Sequence, residues 1–124
     1  MLSLFISYEG DFRNVVTLIE KLTEKSIIIT RDEIGKKCNF QLLDIEFHLM
    51  DNHELEDDFG IAFSKYKIQI NMIQLTSGQV VNGYIKMVNS MSLYLADKLS
   101  QSLNTEVIVV EDLQELVHIV INKS

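Results

Sequence analysis

Carboxylates, three histidines and a single cysteine are the side chains of this 124-residue chain best suited to chemistry or ion binding, and they are unevenly spread. Between Cys38 and Ser64 stand Asp44, Glu46, Asp51, Glu54, Glu56, Asp57 and Asp58, with no Lys or Arg among them. Outside that stretch eleven acidic residues face eleven basic ones, so the formal net charge of −7 belongs to one segment. Charge confined in this way makes a local negative field that steers a basic partner and repels a phosphate backbone. The segment therefore argues against nucleic acid as a partner.

The run D-N-H-E-L-E-D-D, Asp51 to Asp58, admits four readings. A calcium loop opening at Asp51 needs glycine at its sixth position for the sharp turn, and Glu56 stands there, so that match fails. Zinc wants several His or Cys ligands, and His48 with His53 is a poor set. What is left is a solvated connection or a recognition loop, in which Leu55 is an apolar anchor between acids. No catalytic residues emerge elsewhere. Cys38 reads as a small buried apolar side chain without an adjacent base, and His118, inside a β-branched run, as a strand residue with a backbone partner. The five glycines are scattered singly, with no phosphate loop and no nucleophile elbow. Tyr84, Met87, Met91 and Tyr94 share helical spacing that suits core packing better than a ligand groove. Neither metal nor cofactor is expected, and the function expected is binding rather than catalysis.

The elements that must position these residues follow from periodicity. With 47% apolar residues, the chain is long enough for one core, giving a single domain over residues 1–124. No apolar run approaches the ~20 residues of a membrane span, and no secretory signal opens the chain, which predicts a cytoplasmic protein that does not engage membrane. A lone cysteine fits a reducing compartment. Leu2, Leu4 and Ile6 alternate with Ser3, Phe5 and Ser7 in a strand buried on both faces. Asp11 then caps a helix carrying Phe12, Val15, Val16, Ile19 and Leu22 on one face, with Glu20 and Glu24 toward water. Ile27 to Ile29 read as a short strand, and Arg31 to Lys37 as a turn.

Leu43, Ile45, Phe47 and Leu49 alternate with polar residues, predicting a strand with one wet face and hence antiparallel pairing. Past the acidic turn the spacing of Phe59, Ile61 and Phe63 predicts a returning strand, shifted in phase by a bulge near Ser64 before Tyr66, Ile68, Ile70 and Met72. Ser77 and Gly78 open a long helix through Leu103 that stops at Asn104. Glu106 to Val110 is a strand. Residues 113–121 carry both a capping-box spacing at Asp112 and Glu115 and β-branched residues; a short turn and a final strand are expected. The fold class is α+β, with two main helices on one face of a mixed sheet built around a central antiparallel hairpin group.

Two family resemblances bear on function. Phe5-Ile6-Ser7-Tyr8, followed by a helix and by Ile27 to Glu33 (I-I-I-T-R-D-E), resembles the first segment of Toll/interleukin-receptor domains. That resemblance implies a parallel doubly wound sheet and either signalling by self-association or NAD cleavage, whose glutamate has no counterpart here. The stretch Glu46 to Lys67, with the size, acidity and element order of the chain, is similar to immunity proteins of bacterial polymorphic-toxin and contact-dependent growth inhibition systems. That resemblance implies an inhibitor of a cognate basic toxin domain, of nuclease type, bound through Asp44, Glu46, Asp51, His53, Glu54, Leu55, Glu56, Asp57 and Asp58. An adaptor domain that uses the long helix as its contact face is the third expectation.

Overall fold

A computed structural model describes residues 1–75 and 82–121, side chains of 82–87 excepted. The chain runs β1 (Leu2–Ile6), α1 (Phe12–Thr23), β2 (Thr30–Arg31), β3 (Lys36–Leu42), β4 (Ile45–Met50), β5 (Ile68–Gln74), α2 (Asn82–Leu103), β6 (Val107–Glu111) and β7 (Glu115–Val120). One sheet takes all seven strands in the order β2-β3-β4-β5-β1-β6-β7. Together with the two helices this makes an α+β fold.

Every pairing is antiparallel, which corrects the expected mixed sheet and departs from the parallel sheet that the Toll/interleukin-receptor resemblance implies. The reason lies in connectivity. A β-α-β unit is parallel when its helix crosses back to a neighbouring strand, but the chain leaving α1 travels to the far edge, and β1 instead receives β5 on one side and β6 on the other.

Asp11 starts α1 as expected: its backbone is extended and its Oδ1 accepts the Arg13 amide at 2.9 Å. That bond and nearby Lys36 hold the Asp11 carboxyl below its usual range. Phe12, Val15, Val16 and Ile19 are buried, and they meet Leu95, Ala96 and Leu99 of α2 over the sheet face formed by Leu4, Ile6, Phe47 and Ile70. Both helices therefore cover one face. Asn104 ends α2 in the left-handed conformation. Ser77 and Gly78, read as the helix opening, lie outside the described residues.

Four local expectations are corrected. Ile27 to Ile29 form no strand; Ile27 is buried with its amide on Glu20 Oε2 at 2.8 Å, which turns Glu20 inward, while Ile28 is exposed. Residues Lys36 and Lys37, assigned to a turn, begin β3, whose Cys38, Phe40 and Leu42 do alternate. Leu43, assigned to the following strand, is the exposed, left-handed residue of the β3–β4 turn. Phe59 to Phe63 form no returning strand either: a 3-10 turn at Phe63–Lys65 produces the phase shift attributed to a bulge. The final strand stands as expected. The Glu111–Gln114 turn before it is closed by a 3.0 Å backbone bond, with Asp112 and Leu113 left-handed rather than helical.

The β2–β3 turn is tied to the end of β4. Asp51 Oδ1 accepts the Lys36 amide at 2.9 Å, and a Cβ on Gly35 would stand 2.2 Å from that same oxygen. Gly35→Ala is expected to displace the carboxylate and lower stability by about 1 kcal/mol. Urea unfolding measures it, and an unchanged midpoint would show that Asp51 moves aside freely.

Candidate functional site

The acidic segment is not a hairpin tip. From Asp51 to Lys67 the chain crosses the sheet face opposite the helices as an irregular strap. Its underside is apolar: Leu55, Ile61, Phe63 and Tyr66 close over Phe5, Ile108 and Val110, with Leu113 at the margin. Burying one such large side chain contributes roughly 1.5–3 kcal/mol, so the strap is held as part of a second core.

Polar bonds fix its two ends. His53 Nδ1 accepts the Leu55 amide at 2.9 Å, and Nε2 meets the Tyr66 carbonyl oxygen. A carbonyl only accepts, so the ring is the neutral Nε2–H tautomer with both nitrogens used. Its edge also stands against the Phe5 ring, centroids 5.3 Å apart. Asp57 Oδ1 accepts the Ser64 amide at 2.9 Å, and this hydrogen bond holds the carboxyl below its usual range. At the far end the Tyr66 hydroxyl donates to Glu106, which Lys65 also reaches at 2.9 Å. Burial, then Glu106, pushes the phenol up, while the bonds from Tyr66 and Lys65 hold Glu106 down.

The expected contact residues thus divide by role. Glu54, Glu56, Asp57 and Asp58 are exposed on the outer surface, and none forms a salt bridge among the described residues. Asp51, His53 and Leu55 are half-buried and hold the segment in place. Asp44 and Glu46 stand at the opposite end of β4 from the point where the strap departs, with Glu46 on His48 Nε2 at 2.9 Å. The strap does not gather all nine residues into one patch.

Phe59, not the half-buried Leu55, is the exposed large apolar side chain beside the acidic residues of the strap. Asp58 and Ile61 close a tight turn through backbone bonds of 2.8 and 3.1 Å, with Phe59 at φ 51° and Gly60 at φ 72°. Left-handed conformations at both central positions define a type I′ turn, and glycine or asparagine is the ordinary occupant. A phenylalanine there costs about 1–2 kcal/mol and gains little from burial, being 58% exposed. The one sequence signal for this turn was Asp58-Phe59-Gly60, with glycine at its second central position.

Other candidates have structural roles. Cys38 is buried, and burial with Glu20 nearby pushes its thiol up to about 11, so the thiol stays protonated at neutral pH. His118 is exposed on β7. Met91 packs on the core, whereas Tyr94 is half exposed under Lys98; Tyr84 and Met87 lie outside the described side chains. Among the described residues no group of three or more His, Cys, Asp or Glu could hold a metal ion, and no helix is long and apolar enough to cross a membrane. Compared with protein-family models, curated proteins and solved structures, the chain matches none.

Two outcomes follow. Phe59→Gly is expected to raise stability by roughly 0.5–1 kcal/mol, since relief of the left-handed cost exceeds the added chain entropy; a fall in the urea midpoint would mean that the ring packs. Asp57 and Glu106 both titrate below their unfolded values, so their stabilisation is full above about pH 4–5 and is lost as pH falls through the lower folded values. Following the Ser64 amide by NMR on acidification should show the strap loosening below about pH 4; a Ser64 resonance constant through that window would remove this linkage.

Proposed function

We propose that this chain is an immunity-type inhibitor, a cytoplasmic binding protein rather than an enzyme, which neutralises a basic toxin domain of nuclease type. One observation carries the reading: four exposed carboxylates without ion-pair partners among the described residues, and one exposed, conformationally costly aromatic ring, lie together on a strap locked to the sheet. A protein keeps a strained, exposed Phe59 at the expense of its own stability when the ring is needed elsewhere. An aromatic anchor ringed by charge is the composition of an interface centre.

A nuclease cleft is basic because it must hold phosphate. Glu54, Glu56, Asp57 and Asp58 present carboxylates to such a cleft with no bond for it to cleave. Their field accelerates encounter, and the fixed strap limits the ordering cost on docking. Asp44 and Glu46 add to the field from the far end of β4, and Asp51, His53 and Leu55 act by holding the strap.

The test uses the purified chain as bait in a lysate of its source cell, beside an E56K/D58K variant that leaves the Asp57–Ser64 bond in place. One basic domain should be retained at low salt and lost at high salt, and the variant should associate with it about tenfold more slowly or worse. Phe59→Gly should weaken the complex through faster dissociation. Retention indifferent to salt and to E56K/D58K would sink the reading.

A further inference from the structure

We propose that β7 is a second recognition element, which accepts an extended strand of the basic partner as an eighth strand of the sheet; this rests on the inhibitor reading and names how the partner docks. The two edges of the sheet differ. β2, two exposed residues long, offers almost no ladder. β7 is six residues, ELVHIV, pairs only with β6 among the described strands, and is exposed over all but its last residue. Its outer side therefore carries unpaired backbone donors and acceptors.

Edge strands are ordinarily blunted by lysine, proline or inward-pointing charge. Here the chain has no proline at all, and β7 holds no lysine or arginine. Its one irregularity is the register shift opposite Val109 and Val110, which leaves Val117 unpaired and His118 to Val120 as regular ladder. Leu116, Ile119 and Ile121 are 43%, 47% and 58% exposed.

Register fixes which face these side chains take. Leu116 pairs with Val110 and Ile119 with Ile108, both of the core beneath the strap. A cleft of about 220 Å³ runs there between Gly60, Ala62 and Tyr66 of the strap and Leu116 and Ile119 of β7. The acidic turn and the apolar edge are thus two sides of one groove. A strand added to β7 would turn every second side chain toward it, and among those an apolar one would lie against Leu116 and Ile119 and a basic one toward Asp57 and Asp58. Charge excludes a second copy as the natural occupant. Antiparallel pairing of two β7 strands has its two-fold axis normal to the sheet, which sets both acidic straps on one face across the seam, like charge toward like.

The probe is a short synthetic peptide in which valine and lysine take turns at every second position, with threonine between them, added to the isotope-labelled full chain while amide exchange is followed by NMR. Exchange of the His118 to Ile121 amides should slow by about tenfold or more. The slowing should weaken with a valine–glutamate peptide and disappear with a peptide N-methylated at alternate residues, or with Ile119→Lys at an exposed position. No slowing at β7, or equal slowing with the N-methylated peptide, overturns the proposal. So does dimerisation of the chain alone that Ile119→Lys abolishes. Resonance shifts confined to Glu54–Asp58 would reject the edge while leaving the acidic strap as the site. Slowing at β7 that persists in full with E56K/D58K would keep the edge and reject the strap's part in recognition.

Discussion

Strand β1 is the constraint on which the rest of the molecule depends. It lies between β5 and β6, so its backbone is paired on both sides, and its side chains serve two cores at once. Leu4 and Ile6 meet the helices, while Phe5 meets the strap. All three are fully buried. Replacing Phe5 by a small residue would open a cavity under the strap and remove the ring against which His53 stands, so loss of packing and loss of the polar anchor would come together.

The strap resolves a conflict between charge and burial. Five acidic residues between Asp51 and Asp58 would ordinarily leave a segment extended in water. Here the outward carboxylates are flanked by the inward side chains of Leu55 and Ile61, and the backbone polar groups of the crossing are met by His53, Asp57 and the Asp58–Ile61 turn. Apolar burial beneath offsets the mutual repulsion above. The field is thereby fixed in position rather than spread over a moving loop, and a fixed field is the kind that discriminates between partners.

Periodicity revealed most of the layer facing the helices. The stripes of α1 and α2 and the alternation in β4 are read directly from residue type, because burial on one face imposes a single period. The opposite layer was less legible. Its apolar residues Leu55, Ile61, Phe63 and Tyr66 follow neither a period of two nor one of 3.6, since an irregular crossing has no repeat to impose. The Phe59–Gly60 turn was missed because phenylalanine is a poor left-handed residue, a local contradiction of the kind found where something other than stability has been selected. β3 escaped because its two leading lysines fall where a polar turn was expected, ahead of the alternation of Cys38, Phe40 and Leu42. Charge was the most transferable signal: the cation-free stretch read from composition contains Glu54, Glu56, Asp57 and Asp58, which are exposed on the strap.

The strand order also sets a schedule. Leu2 finds its partners at Met72 and Glu111, so β1 cannot settle between both neighbours until the chain as far as β6 has been made. The β3–β4 hairpin forms from local contacts and can nucleate early, whereas β1 closes loops of about seventy and a hundred and ten residues. Once β5 has been made it can cover one side of β1, but the other side stays bare in the nascent chain until β6 arrives. Completion of β6 is therefore the event that commits the molecule to its fold, and truncation before residue 107 leaves β1 as an edge of the sheet.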